Sequence, residues 1–197
     1  MRLLLAAALL GYIGSPTKLS GGVNWWIGEN KHQRHIVPGI YTSRIGNKTK
    51  GYAADEVINQ TYIAKHTPGS HGVIHFSMKS IQENREQIAT QLCDGAYLDV
   101  AIPPALSWLD NQPPSKPEIS LERTAQRVVV RWKVGDGDSI SKYCLRTLED
   151  GKWKVKLLPK ETTFFELTLT NSESAIIAAA VSAIDQFGNE SPIAIAK

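Results

Sequence analysis

The chain has 197 residues, which allow one domain or two, and its 42% hydrophobic and 21% charged residues are ordinary for a globular protein. The formal charge of +3 comes from 22 basic and 19 acidic residues that are mixed along the chain. Phosphate backbones are bound by clustered Lys and Arg side chains, so this distribution excludes nucleic acid as the main partner.

The N-terminal residues 1–14 are strongly apolar, with one arginine followed by an uninterrupted run from Leu3 to Leu10. This pattern is typical of a short secretory signal, and the run is too short to span a bilayer as a stable anchor. A second interpretation is that the segment is the remnant of a buried strand or helix. The sequence leaves both interpretations open.

The first half of the chain then alternates strands with helices. The segment 15–28 allows one helix, although its two glycines weaken the pattern. The elements that follow are a strand at 34–43, a helix at 53–65, a strand at 72–77 and a helix at 81–92. Strand, helix and strand at this spacing predict parallel neighbours. Since two parallel strands cannot cover both of their own faces, residues 1–112 read as two or three units of a larger α/β barrel.

The composition changes at the proline-rich linker 113–117, and every later element reads as a short strand. Seven strands are expected between residues 118 and 197, separated by turn signals that contain Gly, Asp and Asn. An antiparallel β-sandwich is the natural arrangement for such a series.

The sandwich segment resembles a fibronectin type III domain. The resemblance is carried by the entry PPSKP, Trp132 in the second strand, Tyr143 and Leu145 in the third, and the run VSAIDQFGNESP at 181–192. One departure is Ala179, which stands where that family often has a tyrosine that makes a corner hydrogen bond. We expect the absence of this bond to affect stability rather than function.

The first part resembles the C-terminal end of the glycosyl hydrolase-like family ten barrel. The resemblance is carried by NWWIGENKHQRHIVPGIYTSRIG at 24–46, HGVIHFSMKSIQENREQIATQL at 71–92 and the tail YLDVAIPPALSWLD at 97–110. It implies an α/β plus all-β chain: a partial (β/α)8 (TIM) barrel, with its last two to three βα units, followed by an immunoglobulin-like fibronectin type III β-sandwich. The upstream strands would then come from a missing N-terminal segment or a second chain.

Glycoside hydrolysis needs two carboxylates on either side of the sugar, but the eight carboxylates of residues 1–112 lie outside the predicted strands and their carboxyl ends. Glu83 is the nearest candidate for a catalytic role, because it follows the loop after the last strand. Stabilisation of a helix N-terminus is the simpler role for this side chain.

Candidate substrate-binding residues lie where the two strands end: Tyr41, Ser43, His75, Ser77 and Lys79. Ligands of parallel sheets bind at this end of the strands. Each residue also has a structural interpretation, since His75 and Tyr41 can fill the core and Lys79 can be solvated. The adjacent Trp25 and Trp26 could stack on sugars, but core and rim packing is the favoured interpretation for such a pair on a helix.

The sequence therefore favours an N-terminally incomplete glycoside hydrolase-like protein, which acts on or binds a polysaccharide outside the cytoplasm and is inactive alone. The alternative is a non-catalytic extracellular binding or spacer module built on the fibronectin type III-like segment. A truncated reading frame without a function of its own is the third possibility. We expect carbohydrate as the partner. The two cysteines, Cys93 and Cys144, have neither CxxC nor Cys/His spacing, so no metal, cofactor or disulfide is predicted.

Overall fold

The computed structural model of the chain describes residues 16–47, 51–135, 137–168 and 176–197. The signal-like segment 1–14 lies outside these residues. The chain divides into two compact units, Met1–Leu98 and Asp99–Lys197. In the part that the structure describes, no helix is both long and apolar enough to cross a membrane.

The first unit alternates helices with two short parallel strands. Its elements are α1 (Pro16–Gly28), β1 (Gly39–Ile40), α2 (Ala54–His66), β2 (Ile74–His75), α3 (Met78–Gln82) and α4 (Ile88–Asp94), with 3₁₀ turns at Thr42–Arg44 and Arg85–Gln87. The helix allowed at 15–28 is present, and the helix expected at 53–65 is shifted by one residue. The strand, helix, strand order of the sequence is therefore confirmed.

The two strands are parallel neighbours, as the sequence predicts, with Gly39 opposite Ile74 and Ile40 opposite His75. Backbone bonds continue the pairing on both sides of this ladder, because the N–H of His71 donates to the carbonyl of Ile36 at 2.8 Å and that of Ser43 to Phe76 at 2.9 Å. The regular strands are nevertheless much shorter than the segments 34–43 and 72–77. In the described residues this sheet has two strands.

The core of the first unit is built by β1, α2 and α4. Seven apolar side chains are buried there: Ile40, Ile45, Ala54, Val57, Ile88, Leu92 and Ala96. Burial of each isoleucine or leucine contributes roughly 1.5 to 3 kcal/mol relative to exposure. This apolar contact holds α2 against the strands and so fixes the position of the loops after them.

The single helix predicted at 81–92 is wrong, because the chain breaks between α3 and α4. Asn84, Glu86 and Gln87 all have positive φ values, of 48°, 48° and 62°. The side-chain oxygen of Asn84 accepts the N–H groups of Ala89 at 2.9 Å and Thr90 at 3.3 Å. These bonds satisfy donors at the start of α4 that an uninterrupted helix would have used internally.

The second unit is an antiparallel β-sandwich, and all seven expected strands are present, with ends that differ by one or two residues. They are β3 (Glu118–Arg123), β4 (Arg127–Lys133), β5 (Ile140–Glu149), β6 (Lys152–Pro159), β7 (Phe164–Thr168), β8 (Ile176–Asp185) and β9 (Ala194–Ala196). One sheet has the order β3-β4-β7 and the other β6-β5-β8-β9.

The core of the sandwich is formed by alternate residues of both sheets. Val130 and Trp132 from one sheet lie in the same cluster as Tyr143, Leu145 and Val181 from the other. The aromatic rings of Trp132 and Tyr143 meet edge to face, with centroids 5.8 Å apart. Period-two alternation along the strands thus places the residues that carried the fibronectin resemblance in the core.

The segment before β3 packs on the loop that follows β8. The N–H of Leu106 donates to the carbonyl of Phe187 at 2.8 Å. Gly188, at φ +83°, lies so close to this segment that a Cβ there would meet the carbonyl of Pro104 at 3.2 Å. Residues 99–112, which were expected to belong to the first domain, therefore belong to the second unit.

Candidate functional site

The candidate site lies where β1 and β2 end. Tyr41 and Ser43 follow β1, while His75 ends β2 and Ser77 comes two residues later. The parallel pairing brings the two strand ends to the same edge, and the N–H of Ser43 donates to the carbonyl of Phe76 at 2.9 Å. The structure thus brings four of the sequence-predicted site residues to one edge of the sheet.

His75 is held at both ring nitrogens. Its Nδ1 lies 2.8 Å from the hydroxyl of Thr42, and its Nε2 lies 2.7 Å from the hydroxyl of Tyr97. The rings of His75 and Tyr97 meet edge to face, with centroids 5.8 Å apart. The imidazole therefore joins the end of β1 to the segment after α4.

The hydrogen bonds continue beyond the two partners of His75. The hydroxyl of Thr42 donates to the carbonyl of Ile40 at 3.4 Å, and that of Thr61 donates to the carbonyl of Val57 at 2.8 Å and also interacts with Tyr97. Because a hydroxyl can both donate and accept, each polar side chain of this network has a partner whichever ring nitrogen of His75 carries the proton.

Burial shifts the pKa of both ring partners toward their neutral forms. It lowers the pKa of His75 below its ordinary value, and it raises the pKa of Tyr97 to about 12, against the opposing effect of the Thr61 hydrogen bond. At neutral pH both side chains are therefore in their neutral forms.

An aromatic pair stands beside this network. The rings of Tyr41 and Phe76 meet edge to face with centroids 5.5 Å apart, and the guanidinium of Arg44 lies 5.2 Å from the centre of the Tyr41 ring. Tyr41 is half-buried between these neighbours, whereas 47% of Phe76 is exposed. The aromatic surface open to a ligand is therefore mainly that of Phe76.

Charged side chains surround the same edge. Arg85 donates from Nη1 to the carbonyl of Ser43 at 3.2 Å and from Nε to the carboxylate of Glu83 at 2.7 Å. The ammonium of Lys79 lies 3.6 Å from the other oxygen of that carboxylate. Lys79 and Glu83 are both exposed, so this cluster lies at the surface.

The surroundings of Glu83 favour its ionised form. The hydrogen bond from Arg85 is the main reason that the pKa of this carboxyl lies below its usual range. A general acid of a glycosidase needs the opposite, a carboxyl whose pKa is raised by burial or by a neighbouring carboxylate. Nothing in these contacts gives Glu83 that character.

Sequence reasoning missed Thr42, Thr61, Arg85 and Phe76. Phe76 was assigned to the apolar strand, and the pairing partners of His75 lie 33 and 22 positions away in the chain. No local pattern connects residues at such separations. Two signals were available in the sequence. Thr42 is a hydroxyl residue next to Tyr41, and Tyr97 is an aromatic residue of the segment 97–110.

Among the described residues, no group of three or more His, Cys, Asp or Glu side chains could hold a metal ion. Cys93 is exposed and Cys144 is buried, and both are free thiols. The site at the strand ends therefore consists of hydroxyl, imidazole, aromatic and guanidinium groups with one exposed carboxylate.

Comparison with known proteins gives one sequence relative and several partial structural likenesses. No family model matches the chain. The chain is 29% identical over 100 residues to "Glycosyl hydrolase YngK" of Bacillus subtilis (strain 168); the match covers 49% of this chain and 20% of the relative. The chain thus spans about a fifth of the length of the curated relative that it matches.

The similarities to solved structures are weaker than this sequence match. The spore cortex lytic enzyme SleM of Clostridium perfringens has a TM-score of 0.34 at 17% identity, covering 43% of this chain and 28% of that one. The glycoside hydrolase domain of Endo-D from Streptococcus pneumoniae R6 has a TM-score of 0.34 at 22% identity, covering 44% and 15%. A fibronectin type III domain of human collagen XX has a TM-score of 0.33 at 20% identity, covering 49% and 98%. At these scores the likenesses assign neither fold nor function, and the sequence match is what links the chain to glycosyl hydrolases.

Proposed function

We propose that the chain is part of a glycoside hydrolase-like protein that binds a polysaccharide at the ends of β1 and β2. The observation that carries this proposal is the parallel strand pair, whose carboxyl ends bring Tyr41, Ser43, His75 and Ser77 to one edge. The sequence similarity to a glycosyl hydrolase supports the same class of ligand. We further propose that β1 and β2 are strands of a (β/α)8 barrel.

The chemistry of this edge suits a sugar. Phe76 exposes an aromatic surface on which the apolar face of a pyranose can lie, and Tyr41 holds that ring in place from the side. Arg85 and Lys79 lie at the same edge and can donate hydrogen bonds to sugar hydroxyls. A few placed polar groups around an apolar surface are typical of small-molecule sites.

Two carboxylates in the segment that follows β2 already have hydrogen-bonding partners. Glu83 is paired with Arg85, and Glu86 accepts the N–H of Ala54 at 2.9 Å. Glycoside hydrolysis needs a second carboxylate that faces the first across the sugar. We therefore propose that the chain binds saccharide but does not hydrolyse it alone, and that hydrolysis requires carboxylates from other strands.

The proposed location is outside the cytoplasm. It is supported by the signal-like composition of residues 1–14 and by the polysaccharide class of the proposed ligand. Expression of the chain with its native N-terminus in a bacterial host, followed by fractionation, tests this. Recovery of unprocessed protein in the cytoplasm alone would contradict it.

The binding proposal is tested with the purified full chain on a panel of soluble polysaccharides and aryl glycosides. Phe76→Ala should weaken binding about tenfold or more, because it removes the exposed ring. Phe164→Ala is the matched control, since 51% of this phenylalanine is exposed in the second unit. Equal loss in both variants would overturn the assignment of the site, and measurable turnover by the unchanged chain would overturn the proposed lack of activity.

The alternative function, a binding or spacer module, has two observations in its favour. The sandwich has its own closed core, and 47% of Trp153 on β6 is exposed. Under this alternative, Trp153→Ala would abolish saccharide binding while Phe76→Ala would leave it unchanged. The same pair of variants thus decides between the two units of the chain.

A further inference from the structure

A cleft lies beside Ile36, three residues before β1 begins. Ile36, which lies five positions before Tyr41 in the chain, forms a parallel bridge with Ser70. At about 3.3 Å per residue, this places Ile36 roughly 16 Å from the strand-end site. The cleft has a volume of about 140 Å³ and is formed by the end of α1 and the loop that follows it.

The base of the cleft is apolar and its opening is polar. Ile36 is buried at 3% exposure and Trp26 is half-buried, whereas Glu29, Lys31 and His32 are exposed. The indole of Trp26 is held by Trp25, whose ring meets it edge to face with centroids 5.1 Å apart. The cleft therefore offers one wall of aromatic surface with hydrogen-bonding groups around it.

The loop that forms the cleft is ordered by its own hydrogen bonds. The side chain of Asn30 donates to the carbonyl of Arg34 at 2.7 Å and accepts the N–H of Arg34 at 3.0 Å. The N–H of Gln33 donates to the carbonyl of Asn30 at 3.1 Å. A ligand would thus meet a preformed loop and would lose little affinity to ordering it.

We propose that this cleft binds one pyranose unit of a saccharide, preferably one that carries a carboxylate. A cleft of about 140 Å³ is small for a ligand site, so it suits a single ring that is partly immersed. The wall of Trp26 matches the apolar face of such a ring. Lys31 and Arg34 outnumber Glu29 among the charged lining residues, so the cleft favours an anionic sugar.

This site is separate from the one at the strand ends. It shares neither Phe76 nor Tyr41, and its existence does not depend on hydrolysis. It gives the first unit a second point of contact with a polymer, at the end of the strands where the catalytic groups of an α/β barrel do not lie.

The test is an NMR titration of the full chain with D-glucuronate and with D-glucose, observing the indole N–H signals of the tryptophans. We expect the Trp26 signal to shift with a dissociation constant on the order of 1 mM for glucuronate and severalfold weaker for glucose. No shift at Trp26 with either sugar up to about 20 mM, well above that constant, would overturn the proposal.

Variants distinguish binding in this cleft from nonspecific binding to the protein surface. Lys31→Ala should remove the preference for glucuronate, because it deletes an exposed cation of the rim and leaves the apolar base intact. Trp26→Ala should abolish binding, whereas Phe164→Ala, which removes a ring that is 51% exposed in the second unit and does not line the cleft, should keep it within about twofold.

Two outcomes would contradict the assignment. The first is loss of glucuronate binding in Phe76→Ala with retention in Lys31→Ala, which would move the sugar to the strand-end site. The second is an unchanged preference for glucuronate in Lys31→Ala. If Trp26→Ala does not fold, the Lys31 variant and the Trp26 indole signal still decide the question.

Discussion

The carboxylate of Glu86 accepts the backbone N–H of Ala54 at 2.9 Å, across 32 positions of the chain. Ala54 is the first residue of α2, and its preceding residue, Ala53, has no side-chain oxygen that could cap the helix. Glu86 reaches this position because the chain turns sharply between α3 and α4, where its own φ is +48°. The break in the predicted helix therefore provides the cap of another helix.

Replacing Glu86 tests this relationship. Glu86→Ala should lower the free energy of unfolding of the first unit by about 1 kcal/mol, the usual effect of losing an N-cap acceptor. Glu86→Gln should cost less, because its amide oxygen can still accept. Gln82→Ala, on α3, is the control, and denaturant unfolding followed by circular dichroism is the measurement. Equal effects of Glu86→Ala and Gln82→Ala would contradict the capping role.

The network around His75 predicts a loss of stability in acid. The pKa of His75 lies below its ordinary value of 6.5 in the folded protein because burial disfavours the charged ring. As the pH falls below about 6.5, the unfolded chain gains a proton that the folded chain does not bind, so the folded state loses stability. The slope should be less than about 1.4 kcal/mol per pH unit, since the half-exposed ring is partly solvated.

His71 contributes in the same direction. Burial, with a smaller effect of His35 at a ring-centroid distance of 4.7 Å, lowers its pKa. NMR titration of both rings gives the midpoints, and unfolding curves at pH 5 and pH 7.5 give the stability. A midpoint for His75 at or above 6.5 would disprove the argument from burial.

Tyr97→Phe should cost about 1 kcal/mol, because it removes the hydroxyl that connects His75 with Thr61. Tyr62→Phe is a matched control, since Tyr62 is 38% exposed and Tyr97 is 39% exposed. Hydrogen exchange at Gly95 to Leu98 should accelerate in the Tyr97 variant, because the hydroxyl holds this segment against β2. Unchanged exchange there, despite a loss of stability, would show that the bond does not fix the segment.

Asp185 organises the loop after β8 in the second unit. Its carboxylate accepts the N–H groups of Phe187 at 2.7 Å and Asn189 at 2.9 Å, and the side-chain amide of Asn189 at 2.8 Å. Asp185→Ala should therefore lower the unfolding free energy by about 3 kcal/mol. Asp185→Asn should cost less, and Glu122→Ala, an exposed change on β3, should cost almost nothing. Thermal unfolding of the three variants gives the comparison.

Glu83 should titrate below its ordinary pKa of 4.5, because its carboxylate accepts from Arg85. Arg85→Gln should move the midpoint of Glu83 upward, and Lys142→Gln, a change in the second unit, should not. Carbon-detected NMR of the carboxyl group measures this directly. A midpoint above 4.5 in the unchanged chain would restore Glu83 as a candidate acid.

The sequence by itself determined the strands of both units, the first two helices and the parallel orientation of β1 and β2, but not the break within residues 81–92. Alternation of polar and apolar residues in segments such as 152–157 predicts strands directly, because successive side chains of a strand point to opposite faces. The βαβ order requires parallel pairing, which the ladder of Gly39 with Ile74 shows. The candidate residues at the strand ends could likewise be named from their place after each strand.

Only the tertiary structure decided which of these residues have partners and which face solvent. His75 meets Thr42 and Tyr97, and Glu86 meets Ala54, across separations that no local pattern encodes. The helical period of residues 81–92 continues through Asn84, so periodicity alone could not predict that distant hydrogen bonds favour a break there. The physical reason is the same in each case: a local pattern records the preferences of the backbone, whereas a side-chain hydrogen bond depends on where the rest of the fold brings its partner.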